Sequence, residues 1–271
     1  MSETQNSNNY TRMNGGIVTY LKQSYVVMKN EIVKFTRGKK MLLFTALIFL
    51  VLILLTAVPY ILGEGLSDNA TELAASYSSF IALIVLLFAT LFASTSLVSE
   101  FEERTALILF TRPVKKSSIL LGKLTASMVI GIAFLAFYYV FTSVVSLAVA
   151  GSVDATLLTS FGLAVLYLFC MVGIALLISS VMKKGSTATI ITFVMSLLIF
   201  SIVSTLLGAY DVENWWLPDI ASGAIYDVFG FTFGGMIPAV TVDLVQTSGV
   251  FIAWGLATTL IAYFLFKRRS F

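Results

Sequence analysis

Apolar residues in this chain come in long unbroken blocks separated by short polar intervals. The blocks fall at about 41–62, 76–99, 124–150, 155–182, 186–208 and 248–266. Each is near or above the roughly 20 residues that an α-helix needs to cross a bilayer core. The pattern therefore predicts an all-α, polytopic membrane protein of six transmembrane helices. The third and fourth blocks exceed the minimum, as tilted or projecting helices do. Pro59, near the end of the first block, is expected to kink it.

Two stretches break the pattern before and after these blocks. Residues 1–15 are polar and rich in Asn and Ser, with no apolar period, and read as a disordered tail. Over 16–40 the apolar residues Ile17, Leu21, Tyr25, Met28, Ile32 and Phe35 recur at spacings of three or four, with Lys22, Lys29, Lys34 and Arg37 elsewhere around the helix. That is the signature of an amphipathic helix lying in a membrane interface, lysines toward anionic headgroups. An ordinary helix packed on a partner is the alternative. Residues 41–271 then form the six-span domain. Within it, the interval 209–247 holds Trp215-Trp216-Leu217-Pro218 and two apolar pieces, 221–233 and 236–245, each too short to span. Short re-entrant helices before the last span fit this pattern, and a compact cap is the other reading. Asn69-Ala70-Thr71 is a weak glycosylation sequon.

Charge orients the chain. All seventeen Lys and Arg residues fall in the segments on one side of the six spans, while Glu64, Asp68, Glu72, Asp154, Asp211, Glu213, Asp219, Asp227 and Asp243 fall on the other. Short basic loops stay cytoplasmic, so both termini are expected on the cytoplasmic face of the cell membrane.

Composition narrows the function by what it lacks. The chain is 58 % hydrophobic and 11 % charged, with a mean hydropathy of +0.96, which leaves no room for a soluble catalytic domain. There is no His, and the one Cys, Cys170, lies inside an apolar block. The proposed spans carry no Asp, Glu, Lys, Arg or His. This argues against proton coupling, against ion coupling to a lesser degree, and against intramembrane proteolysis or metal and haem chemistry. Serines and threonines such as Thr90, Ser94, Thr95, Ser96, Thr142, Ser143 and Ser146 are expected to bond between helices. Gly122-Lys123 is followed by Leu and has no preceding strand, so it is not a phosphate-binding loop. No catalytic, cofactor-binding or metal site is predicted, and nothing points to a nucleic-acid partner. An uncharged interior favours lipid-like or amphipathic cargo, or a function that moves no freely diffusing solute.

The most informative interval is 100–123. Ser99 and Glu102 fit a capping box, and Glu100, Glu102 and Glu103 put negative charge at the start of a short helix. Ala106–Phe110 are consecutively apolar, Arg112-Pro113 stops the helix, and Ser117 or Ser118 can cap the next one. Such a helix either tucks against the membrane domain or docks as a knob into a groove on a partner.

Glu103-x-Thr105, the apolar run, Thr111-Arg112-Pro113-Val114 and Ile119-Leu120-Leu121-Gly122-Lys123 together resemble the signature of type-2 ABC transporter permeases, the membrane subunits of ATP-driven exporters. This chain departs from the signature at Arg104, where the family usually has Gly. The resemblance implies that the interval holds a coupling helix contacting a separate ATP-binding-cassette ATPase, which would carry the ATP and Mg. A second permease copy, or a similar partner, would complete the pathway. The residues expected to dock the ATPase are Glu102, Glu103, Arg104, Thr105, Leu107, Leu109, Phe110 and Arg112. Among them Leu107, Leu109 and Phe110 form the apolar surface, and Glu103, Arg104 and Arg112 its polar rim. The alternative function is a scaffold or channel-like protein that anchors a cytoplasmic partner without transport.

Overall fold

The structure, a computed structural model, describes residues 17–63, 65–102, 116–230 and 243–268. Among these residues there are helices and no strands. We number them α1 (Ile17–Arg37), α2 (Lys39–Ile61), α3 (70–102), α4 (Lys116–Val149), α5 (Thr156–Val181), α6 (Gly185–Ala209), α7 (Pro218–Ser222), α8 (Ala224–Asp227) and α9 (Leu244–Arg268). Six of them, α2 to α6 and α9, are long and apolar enough to cross a membrane. The expected six spans are therefore present, displaced at their ends by a few residues. The largest displacement is at α4, which is already helical at Lys116, eight residues before the expected 124. At the other end of the chain Leu244 and Val245, expected in a separate short piece, are the first turn of α9.

Helix α5 is the centre of the bundle and touches α3, α4, α6, α7, α8 and α9. Its seam with α9 is the longest in the molecule, and two glycines make it close. A Cβ on Gly173 would stand 2.5 Å from Thr258 Oγ1 and 3.0 Å from the Gly255 carbonyl, and one on Gly255 would stand 2.4 Å from the Phe169 ring. Small residues at the contact let backbones approach, which is how helices gain packing energy where lipid competes with side chains for apolar surface. By contrast α2 is peripheral. It meets the bundle through Phe44, Ile48 and Leu52, spaced four apart and almost wholly buried, and Phe44 packs edge-on against Phe88, Phe92 and Phe134.

Helix α3 is continuous but not regular. A π-turn spans Ala89–Ala93, and the helix loosens again at Leu97. Each irregularity frees backbone groups, which inside a bundle must find partners. The Leu91 carbonyl accepts from Lys40 Nζ at 3.1 Å. The Leu97 and Val98 N–H groups both donate to Ser179 Oγ of α5, each at 3.1 Å.

The hydroxyls divide by role. Ser94 meets Thr189 across α3 and α6, Thr95 accepts from Lys40, and Ser96 donates to Glu31. Thr90, Thr142 and Ser143 instead bond carbonyls one turn back in their own helices, the usual alternative for a hydroxyl with no neighbour in reach.

At the acidic end, Asn69 caps α3 by accepting from the Thr71 N–H at 3.0 Å. The Thr71 hydroxyl donates to Asp154 Oδ2 at 2.6 Å, and Asp154 Oδ1 accepts from the Thr156 N–H. All three residues of the weak sequon thus stand at a helix start, two of them in hydrogen bonds. These bonds, chiefly that from Thr71, hold the Asp154 carboxyl below the usual carboxylate range. The α7–α8 segment seats on the same end through Leu217, Ala221, Ile225 and Phe229. It is tied there by Ser160 Oγ donating to the Ile225 carbonyl and Trp254 Nε1 donating to the Trp216 carbonyl.

The packing predicts which glycines matter. Gly255→Val is expected to cost ~1–3 kcal/mol or more through overpacking against Phe169, lowering the melting midpoint of the detergent-solubilised protein. Gly162→Val, in open space, should leave it nearly unchanged. Equal losses at both positions would refute the α5–α9 seam.

Candidate functional site

The site grows from the polar interval between α3 and α4. Its central stretch, including Glu103, Arg104, Thr105, Leu107, Leu109, Phe110 and Arg112, lies outside the described residues, as does the tail 1–15. The structure does describe the two ends of the interval and what holds them.

Lys123 stands two turns inside α4, with its side chain 1 % exposed. It belongs to the bundle rather than to a loop, which corrects the boundary the hydropathy pattern gave. Its ammonium donates to Glu31 Oε2 at 2.9 Å, to Glu100 Oε1 at 2.9 Å and to the Ser96 carbonyl at 2.7 Å. Three donors meet three acceptors, the full capacity of an ammonium group. Glu31 is equally enclosed, its side chain 5 % exposed, and also accepts from Ser96 Oγ. Glu100 is at the rim, 16 % exposed. Burying these charges costs several kcal/mol per ion, offset only where geometry and hydrogen bonding are as complete as here.

Glu31 comes from α1, so the cluster draws that helix onto α4. The contact is close because Gly122 precedes Lys123. A Cβ at Gly122 would stand 2.7 Å from Val27 Cβ and 2.8 Å from the Ser24 carbonyl. The buried face of α1 is accordingly Val27, Met28, Glu31, Ile32 and Phe35, while Leu21 and Tyr25 of the expected stripe remain 59 % and 61 % exposed. The amphipathic pattern identified the helix and part of its seat. Glu31, which that pattern did not single out, decides its rotation.

Glu102 has a described partner. Its Oε2 accepts from the Gly185 N–H at 2.8 Å, so it caps α6 from the last turn of α3. Lys184 at the N-cap gives no side-chain bond, and a carboxylate at a helix N-terminus is favourable. The expected Ser99–Glu102 capping box does not form. The last turn of α3, Val98–Glu102, already contains Ser99, which donates to the Ser96 carbonyl and accepts from Lys34 Nζ at 3.0 Å. Ser117 and Ser118 likewise fall inside the first turn of α4.

The interval is thus gripped at its base. Glu100 and Lys123 join its two ends directly, Glu102 ties its start to α6, and Glu31 ties its end to α1.

A family profile described as ABC-2 family transporter protein matches residues 25–271. The chain belongs to that family. The match runs from the middle of α1 through α9, so α1 from Tyr25 onward, the gripped interval and the six spans are parts of one ABC-2 unit. The chain is an ABC transporter permease, a multi-pass membrane component that is not itself the catalyst, and its family works with an ATP-binding-cassette partner in general. No match was found among curated proteins.

For this permease the buried cluster predicts an inverted mutational order. Lys123→Ala leaves Glu31 and Glu100 facing each other without the cation and should cost ~3–5 kcal/mol, the usual penalty for breaking a buried pair. Replacing all three, Glu31→Leu, Glu100→Leu and Lys123→Met together, should be milder than the single change. Melting midpoints in detergent decide it, and a triple variant worse than Lys123→Ala would contradict the account.

Proposed function

We propose that this permease is the membrane half of an ATP-driven exporter, and that residues 103–115 carry the contact to a separate ATPase subunit. The observation that supports this most is the buried Glu100–Lys123–Glu31 cluster at the base of the interval. The cluster couples the helices that flank the interval, so a force applied there would reach α1, α3 and α4 together. In this reading two permease copies, or one with a similar partner, sit over two ATPase subunits. ATP binding closes the ATPase pair, and the interval transmits the movement to α3, α4 and α6. ATP and Mg reside on the partner. Both termini and every basic segment face the cytoplasm, because all seventeen Lys and Arg residues lie on that side of the spans.

The docking surface is expected to be Leu107, Leu109 and Phe110, rimmed by Glu103, Arg104 and Arg112. Leu109→Asp or Phe110→Asp then places a carboxylate in a desolvated groove, at a cost of several kcal/mol. Arg112→Ala should cost only ~0–1 kcal/mol, as rim contacts do. The test is capture of a co-expressed ATP-binding-cassette ATPase, with monodisperse permease as the control for folding. Full retention by both aspartate variants would rule out docking through this helix and favour a scaffold.

Orientation is tested separately. Cysteines replacing the exposed Asp68 or Asp211 should react with an impermeant reagent applied to intact cells, and one replacing Lys184 should not. Labelling at 184 from outside would overturn the topology.

A further inference from the structure

Helix α6 belongs to two neighbourhoods. Its first half, Gly185–Val194, packs on α5 and along α3 from the π-turn of that helix to its last turn. Two hydrogen bonds fasten it to α3, Glu102 Oε2 accepting from the Gly185 N–H at 2.8 Å and Ser94 Oγ meeting Thr189 Oγ1 at 3.3 Å. Its second half, Phe200–Ala209, instead packs on α7. There the Ser204 carbonyl accepts from Asn214 Nδ2 at 3.1 Å, and the Phe200 ring meets Trp254 of α9 edge-on at 5.7 Å. A second π-turn, Met195–Ile199, separates the halves. It forms no comparable seam with another helix among the described residues.

The two π-turns differ in how they are held. In α3 four of the five residues are buried, and the Leu91 carbonyl accepts from Lys40 Nζ. In α6 only Ser196 is buried, and its hydroxyl has no hydrogen-bond partner among the described residues. The extra residue also serves register. Ala188, Thr192, Ser196, Phe200 and Ser204 are buried at intervals of four. That spacing drifts by about 40° a step around a regular helix, and the wider turn brings the later residues back toward the same side. What the turn lacks is bracing. Helices bend at π-turns, which recur at functional sites, and a segment with few buried contacts is among the first to open. We propose that α6 is jointed at Met195–Ile199, with a first half that keeps its place on α3 and a second half that keeps its place on α7 and α9. On the function proposed above, on which this use of the joint rests, movement of the interval reaches α6 through Glu102 and is taken up at 195–199.

The test is hydrogen–deuterium exchange of the full-length permease in a neutral detergent, read residue by residue by mass spectrometry without the ATPase. Exchange should peak over 196–202, about tenfold faster than at 189–194 on one side and 203–206 on the other, as a local opening far below global unfolding requires. The braced π-turn of α3 should exchange as slowly as the helix around it. Deletion of Leu198, a side chain 48 % exposed, removes the one residue that the π-turn adds. It leaves Ser196 and Phe200 three positions apart on one face, and should abolish the peak without lowering the melting midpoint. A flat profile along α6, a rate that only rises steadily toward Ala209 as end fraying does, equal exchange in the two π-turns, or a peak that survives in a folded deletion variant would each overturn the proposal. Should the deletion not fold, the profile of the natural sequence decides by itself. Because no ATPase is present, failure of the joint and failure of docking through 103–115 are read separately.

Discussion

A single buried ammonium group governs the architecture of this permease at its basic end. Lys123 is removed from water, so its charge must be met inside the protein, and only two carboxylates and one carbonyl are placed to do so. Those groups come from two other helices, Glu31 from α1 and the other two from α3. Glu31 fixes α1 along α4, Glu100 joins the end of α3 to α4, and the Ser96 carbonyl comes from the stretch of α3 between its π-turn and its last turn. The requirement that one cation be neutralised therefore sets the mutual position of three helices.

Other features follow from that constraint. Gly122 must be small because α1 is drawn in so closely that a Cβ there would meet the backbone of Ser24. The face that α1 buries is the one bearing Glu31, so part of its apolar stripe, Leu21 and Tyr25, is left outward. With Glu100 committed inward, Glu102 falls where it can cap α6, and the interval between α3 and α4 emerges with both ends anchored. At the opposite end the ties are neutral or singly charged, such as Thr71 to Asp154 and Trp254 to the Trp216 carbonyl. Among the described residues, the basic end is thus the one cross-braced by buried charge.

The irregular geometry of α3 belongs to the same picture. The helix is held at its foot by Glu100 and Glu102 and packed through much of its length against α5, and it departs from a uniform 3.6-residue repeat. At the π-turn, Ala89–Ala93, and at the break at Leu97, Lys40 and Ser179 bond to the backbone.

The sequence by itself determined the class of protein, the number of spans, the segregation of charge and the family, through the signature around Thr111–Lys123. Those are properties of runs and short spacings, and a bilayer turns run length almost directly into helix length. It also located α1 by its period. What only the tertiary structure decided was where polar residues at the helix ends belong. Hydropathy placed Lys123 in a loop because a charged residue is expensive inside a membrane domain. It had no means of seeing that Glu31, ninety-two residues earlier, removes that expense. Glu102 read as part of a local capping box for the same reason, although its partner is Gly185. Local pattern measures the cost of burying each residue alone. Pairing between distant segments cancels that cost, and such pairing exists only once the helices are packed.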